Sequence, residues 1–257
     1  MDPGARRSAA GLTFRPVPPI RLTAASRTRT VWSVGVTVSC PRCADQVRKP
    51  DLMHSNWRCD NCGDVQPFHV AEHISAEIVG SVLRESASAR ERMPLWGPWP
   101  LPSGWTVTGV GWAGDDRSGV RATALACSGP EPLGGGPADL LFIAEQPGVG
   151  LGNRFAGIPG TDPGHLLSGT LADHGPCAGP HAKIKVGGHP TPLWCVESPE
   201  DRSAYVSEAK GIWLYAVAWP ASAGYLLAEH VVLDDLSEGV PPELVFGAPS
   251  PYLHGRV

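Results

Sequence analysis

The sequence contains no run of eighteen uncharged apolar residues, so none of it is expected to cross a bilayer as a helix. Charge is also sparse: Asp, Glu, Lys and Arg make up 18% of the 257 residues, where an average globular protein carries about a quarter. Disordered chains are apolar-poor and strongly charged. Here hydrophobic residues reach 42%, with nine Trp and a formal net charge of −4, which excludes wholesale disorder. At Gly148–Arg154 neither the dinucleotide-binding fingerprint nor a phosphate loop with its lysine is matched. What is abundant is 31 Gly and 27 Pro, implying turn-rich connections around a foldable core. The length suits one large domain, or one domain with a small satellite.

The little charge there is falls unevenly. Residues 1–50 hold nine Lys or Arg and two Asp, whereas residues 51–257 hold twelve basic and 23 acidic side chains. An acidic body repels a phosphate backbone, so nucleic-acid contact is disfavoured for it. The first stretch includes Arg6, Arg7, Arg15, Arg21, Arg27 and Arg29, with Asp2 alone opposing them up to residue 39. Three readings stand: a translated upstream region with the start at Val36, a disordered basic arm, or an Arg-rich transit peptide. Residues 1–37 are expected to be a basic extension outside the fold.

Four of the seven Cys stand as Cys40-Pro41-Arg42-Cys43 and Cys59-Asp60-Asn61-Cys62, a zinc-ribbon spacing. Two intervening residues let a tight turn aim both thiolates at one ion, and two such knuckles complete a tetrahedron. Gly63 after the second pair suits a positive φ, while Ala44 takes the same place in the first pair less comfortably. Trp57 lies where it could shield the site. Three further cysteines, Cys127, Cys177 and Cys195, make the count odd, and no secretory signal precedes them, so disulfides are disfavoured. The expected cofactor is therefore one structural zinc on Cys40, Cys43, Cys59 and Cys62, with no open coordination position. Over residues 36–70, Arg42, Arg48, Lys49 and Arg58 balance Asp45, Asp51, Asp60 and Asp64. A balanced ribbon favours contact with a protein partner, with Arg42 and Arg58 as candidate contacts, over nucleic-acid binding.

Beyond the ribbon, Ile74, Ile78, Val79, Val82 and Leu83 recur at helical spacing and predict one amphipathic helix between Val70 and Arg92. Residues Trp96 to Pro102 are too proline-rich for a helix and read as a strap laying Trp96 and Trp99 over the core, or as a ligand for a polyproline-binding partner. Strands are predicted at Trp105–Trp112, Val120–Cys127 and Leu140–Ala144, forming an antiparallel meander whose first turn spans Gly114–Gly119. Gly148, Gly150 and Gly152 precede Arg154, a loop that could hold an anion but that reads more simply as a turn. His174, Cys177 and His181 have spacing compatible with a second metal, without a defined fourth ligand. Further strands are predicted at His181–Val186 and Leu193–Val196. A helix is predicted from Ser198-Pro199-Glu200-Asp201 to Lys210, capped by Gly211. Two apolar strands, Ile212–Trp219 and Tyr225–Leu233, would then form a hairpin.

The ribbon, the Trp96-Gly-Pro-Trp-Pro-Leu-Pro-Ser-Gly-Trp stretch, Glu145-Gln-Pro-Gly-Val-Gly-Leu-Gly and Trp213 to Gly224 together resemble an uncharacterised actinobacterial family with an N-terminal zinc ribbon. The resemblance implies a bacterial cytosolic setting and a start just before the ribbon, but no activity and no catalytic residue. The expectation is an α+β protein: a zinc ribbon at 38–69, a linker helix at 70–93, a mostly antiparallel, β-rich α+β domain at 94–240 and a tail at 241–257. Its expected role is that of a cytoplasmic adaptor without turnover chemistry. The alternatives are an enzyme acting on a phosphorylated or acyl compound at Gly148–Arg154, and a transcription-associated protein.

Overall fold

The computed structural model describes residues 35–87, 92–131, 133–167, 180–229 and 231–255. Its strands are, in chain order, β1 (Val36–Ser39), β2 (Val47–Arg48), β3 (Arg58–Cys59), β4 (Gly63–Asp64), β5 (Phe68–Ala71), β6 (Trp96–Pro98), β7 (Thr106–Asp115), β8 (Gly119–Pro130), β9 (Pro137–Glu145), β10 (Ala182–Val186), β11 (His189–Val196), β12 (Ser203–Ala209), β13 (Ile212–Trp219) and β14 (Val232–Asp235). Among the described residues the helices include α1 (Ala76–Ala87), α2 (Leu151–Ala156) and α3 (Tyr225–Glu229), and residues 164–167 are also helical. Eleven strands form one sheet in the order β1-β5-β7-β8-β9-β13-β12-β11-β10-β14-β6, and β2, β3 and β4 form a separate small one. In the large sheet only the β10–β14 pair is parallel. The protein is thus β-rich with a few helices, and the β7–β8–β9 meander is present as predicted.

Both faces of the central strands are covered, which explains their nearly continuous hydrophobicity. Side chains alternate along β8, β9 and β13. Leu125, Phe142 and Leu214 join one apolar layer with Trp96 and with Val79 and Val82 of α1. Ala124, Ile143 and Tyr215 join the other with Leu151 and Phe155 of α2 and with Leu253. The proline-rich strap lays Trp96, 1% exposed, over the first layer. Residues expected to be a tail run beside β7, with the Gly247 N–H donating to Val107 at 2.9 Å and the Ser250 N–H to Thr108 at 2.9 Å.

Several local predictions are corrected. The amphipathic helix starts only at Ala76 and is described as far as Ala87, because Phe68–Ala71 is taken into the sheet between β1 and β7. No helix follows Ser198. Residues Ser203–Ala209 form β12, paired with both β11 and β13, and two ladders outweigh a local helix-start signal. Lys210 and Gly211, with φ of 56° and 78°, make the β12–β13 hairpin turn in place of a helix cap. The second predicted hairpin is also absent: Ala221–Gly224 is a 3-10 turn leading into α3, and only Val232–Asp235 is strand. That strand sits between β10 and β6, far from β13.

Candidate metal centre

The two cysteine pairs sit on knuckles joined by the small β2–β3–β4 sheet, in a segment that leaves the large sheet after β1 and re-enters it at β5. Each knuckle is followed by a residue of positive φ, Ala44 at 68° and Gly63 at 74°. The first turn is fixed by backbone bonds, Ala44 N–H to Cys40 carbonyl at 3.1 Å and Cys40 N–H to Asp45 carbonyl at 2.7 Å. As a result the ligand atoms of Cys40, Cys43, Cys59 and Cys62 all lie within 4.8 Å of one another. Cys43 Sγ and Cys59 Sγ are 3.4 Å apart, far beyond a disulfide bond of about 2.05 Å. This is the one such cluster among the described residues.

The electrostatics suit a bound cation. Burial pushes the Cys43 thiol up to about 12 and raises Cys40 and Cys62 as well. Burial also opposes ionisation of Cys59, but the N–H groups of Asn61 and Cys62 pull that thiol below its ordinary value. Four thiolates this close repel one another unless a divalent ion lies among them. Arg154 reinforces the point. Its guanidinium lies over Phe155, 4.7 Å from the ring centre, and donates to the Cys40 carbonyl at 3.2 Å. Burial lowers its pKa, Cys40 and Cys43 act in the opposite direction, and no carboxylate pairs with it among the described residues. A desolvated guanidinium needs a nearby negative charge. A divalent ion with four thiolates would carry a net charge of −2 and could supply it.

The glycine-rich loop thereby acquires a structural role. Arg42, on the first knuckle, donates through Nη2 to the Gly148 carbonyl at 2.9 Å and through Nε to the Val149 carbonyl at 3.2 Å. Its Nη1 reaches the Cys62 carbonyl at 3.4 Å. Gly150 opens α2 with φ of 84°, and Gly152 lies so close to Tyr215 that a Cβ there would sit 2.2 Å from the ring. Glu145, fully buried at the end of β9, accepts from the Gly152 N–H at 3.0 Å. Burial raises its carboxyl to about 7. The loop offers the Gly148 and Val149 carbonyls to the cysteine module, and Arg154 donates to the Cys40 carbonyl.

Other sequence candidates fare differently. Arg58 pairs with Asp64 at 3.5 Å and Arg48 with Asp60 at 2.8 Å, so two of the four basic side chains are neutralised within the module. Arg42, expected as an exposed partner contact, is instead the clasp to the body. Trp57 meets His69 of β5 edge-on, with ring centres 6.3 Å apart. His174 and Cys177 lie outside the described residues, while His181 accepts the Cys195 N–H through Nδ1 at 3.1 Å. Sequence reading missed Arg117 and Arg121, which line a cavity of about 400 Å³ between module and body together with Arg42, Trp57 and Gly148. Nothing in the local sequence signals them, because the cavity exists only once the module is docked.

The family of unknown function DUF6758 matches residues 34–253, which takes in the cysteine module and every strand of the large sheet. The chain belongs to that family. No curated protein and no solved structure matches it.

Proposed function

We propose that this protein holds one structural zinc ion on Cys40, Cys43, Cys59 and Cys62, as a zinc ribbon, and works in the cytoplasm as a protein-binding adaptor. The observation that carries the metal is the approach of the four cysteine ligand atoms to within 4.8 Å of one another; Arg154, largely desolvated and bonded to the Cys40 carbonyl, would complement the negative charge of a metal-thiolate centre. Zinc suits four sulfur ligands, and with all four positions filled it braces the module without offering a reactive site. Partner binding is supported by the loop between β2 and β3. There the Asp51 carboxylate accepts from the Met53 and His54 N–H groups at 2.8 Å each, fixing a turn. That turn presents Leu52 and Met53, 104% and 85% exposed, side by side. Two adjacent apolar side chains held outward by an ordered turn have the character of a contact patch.

The test has two parts. Elemental analysis of the purified protein is expected to give one zinc per chain, and Cys59→Ser to abolish it; folded, metal-free protein with intact thiols would reject the metal. A photo-crosslinking residue at position 52, used in the producing cell, is expected to give one discrete adduct that is lost in Cys59→Ser. A smear or no adduct at position 52 would reject the adaptor reading while leaving the zinc standing.

A further inference from the structure

We infer that the cavity between the cysteine module and the sheet binds a small molecule through a phosphoryl group. Its volume of about 400 Å³ falls within the range of small-ligand pockets. Arg117 and Arg121 enter from the body, Arg42 and Trp57 from the module. None of the three guanidinium groups has a carboxylate partner among the described residues. Arg121 Nε is buried without any hydrogen-bond partner, and a desolvated guanidinium donor left unmade is costly.

Two carboxylates also line the cavity and are already engaged. Asp64 faces Arg58 and accepts from the Asn56 side chain at 2.8 Å. Asp115 Oδ1 accepts from the Arg117 and Ser118 N–H groups at 3.0 and 2.8 Å, closing the β7–β8 turn. Arg42 spends its donors on three carbonyls, and Arg117 donates to the Ser55 carbonyl through one nitrogen only. Arg42 thus keeps two of its five N–H donors, and most of the donors that remain are on Arg121 and Arg117. A planar fork of this kind matches phosphate oxygens. Trp57 adds a flat wall for the organic remainder of the ligand. Because the walls come from both parts of the molecule, binding requires the module in place. This inference is independent of the adaptor reading, which rests on Leu52 and Met53.

The experiment is a calorimetric titration of the zinc-loaded full chain with inorganic phosphate, with sodium chloride at matched ionic strength as blank. Saturable binding is expected for the wild type. Arg121→Gln and Arg117→Gln are each expected to weaken it by about tenfold, the loss of one charge-assisted hydrogen bond. Lys183→Gln, an exposed change on β10, should leave it unaltered. Chelated protein is expected not to bind. Absence of saturable binding to the wild type, or equal binding by Arg117→Gln and the wild type, would overturn the inference. Arg117 is exposed, so its variant keeps the test decisive even if Arg121→Gln fails to fold. Loss of phosphate binding with the position-52 adduct retained would separate this site from the partner site.

Discussion

Between Cys40 and Val65 the buried apolar cluster consists of Cys40, Cys59 and Val65, with Cys43, Val47 and Cys62 packed against it. The sheet body, in contrast, has two apolar layers built around Trp96, Phe142, Tyr215 and Trp219. A segment of that size cannot remove enough apolar surface from water to offset the entropy of ordering its backbone. Its shape must come from ligand bonds and from its docking to the body. The body needs neither. The same division separates the charges: the module pairs Arg48 with Asp60 and Arg58 with Asp64 on its surface, and sends Arg42 into the glycine loop.

The sharpest way to break this comparison is Cys59→Ser. Structural zinc in small finger peptides contributes apparent free energies on the order of 10 kcal/mol to folding, so the module should lose its order along with its metal. Limited proteolysis is expected to cut between residues 44 and 64, while calorimetry still shows the unfolding transition of the sheet. Simultaneous loss of both would show that the sheet depends on the module, through β1 and β5.

The next largest effect is expected at the junction. Removing one partner of a buried charge pair costs about 3 to 5 kcal/mol, and Arg154→Ala leaves the cysteine cluster without its guanidinium. Chelator competition should show zinc released more readily, with a lower melting temperature. Arg154→Lys should recover only part of this, since an ammonium cannot lie flat over Phe155 as the guanidinium does.

Both effects rest on residues of very different legibility. The cysteine pairs could be read directly, because metal spacing is a local property and each knuckle closes within a few residues. The meander was legible for a similar reason: alternation along β8 and β9 and the turn at Asp115–Ser118 are short-range. The Ser198–Lys210 segment misled because its helix-start residues are real, yet Ala204 and Val206 point into one layer only when strands lie on both sides. Tyr225–Leu233 misled because an apolar run of that length does not distinguish a short helix from a strand. Arg42 and Arg154 looked like free cations, and their acceptors, at Val149, Gly148 and Cys40, are more than a hundred residues away in the chain.

Within the body, Glu145 gives a pH signature that the module should not share. An ordinary glutamate titrates near 4.5, and burial raises this one to about 7. Between those values the folded protein binds a proton that the unfolded chain does not, so this group's contribution to stability is full at low pH and is lost as pH rises toward 7. Glu145→Gln should remove that slope. At about 1.4 kcal/mol per unit, the variant should gain up to about 3 kcal/mol on the wild type between pH 4.5 and pH 8. Urea midpoints of both proteins at the two pH values test this, and taking the difference cancels proton competition for the cysteines, which both share. A parallel pH dependence in the two would show that Glu145 is not the group responsible.

The smallest effect is expected on the surface of the module. Arg48 and Asp60 are 2.8 Å apart, with side chains 76% and 72% exposed. Exposed pairs of this kind contribute less than about 1 kcal/mol, because water screens the attraction and two long side chains lose freedom. The pair also bridges β2 to the second knuckle, so it could in principle compensate for the module's thin core. With the proposed zinc bound, its ligands would fix that geometry and the bridge would add little to it. Arg48→Gln is therefore expected to leave zinc retention under chelator challenge and the melting temperature close to those of the wild type. A loss of zinc comparable to that in Arg154→Ala would mean that surface charge, and not the metal together with the Arg154 junction, holds the module in shape.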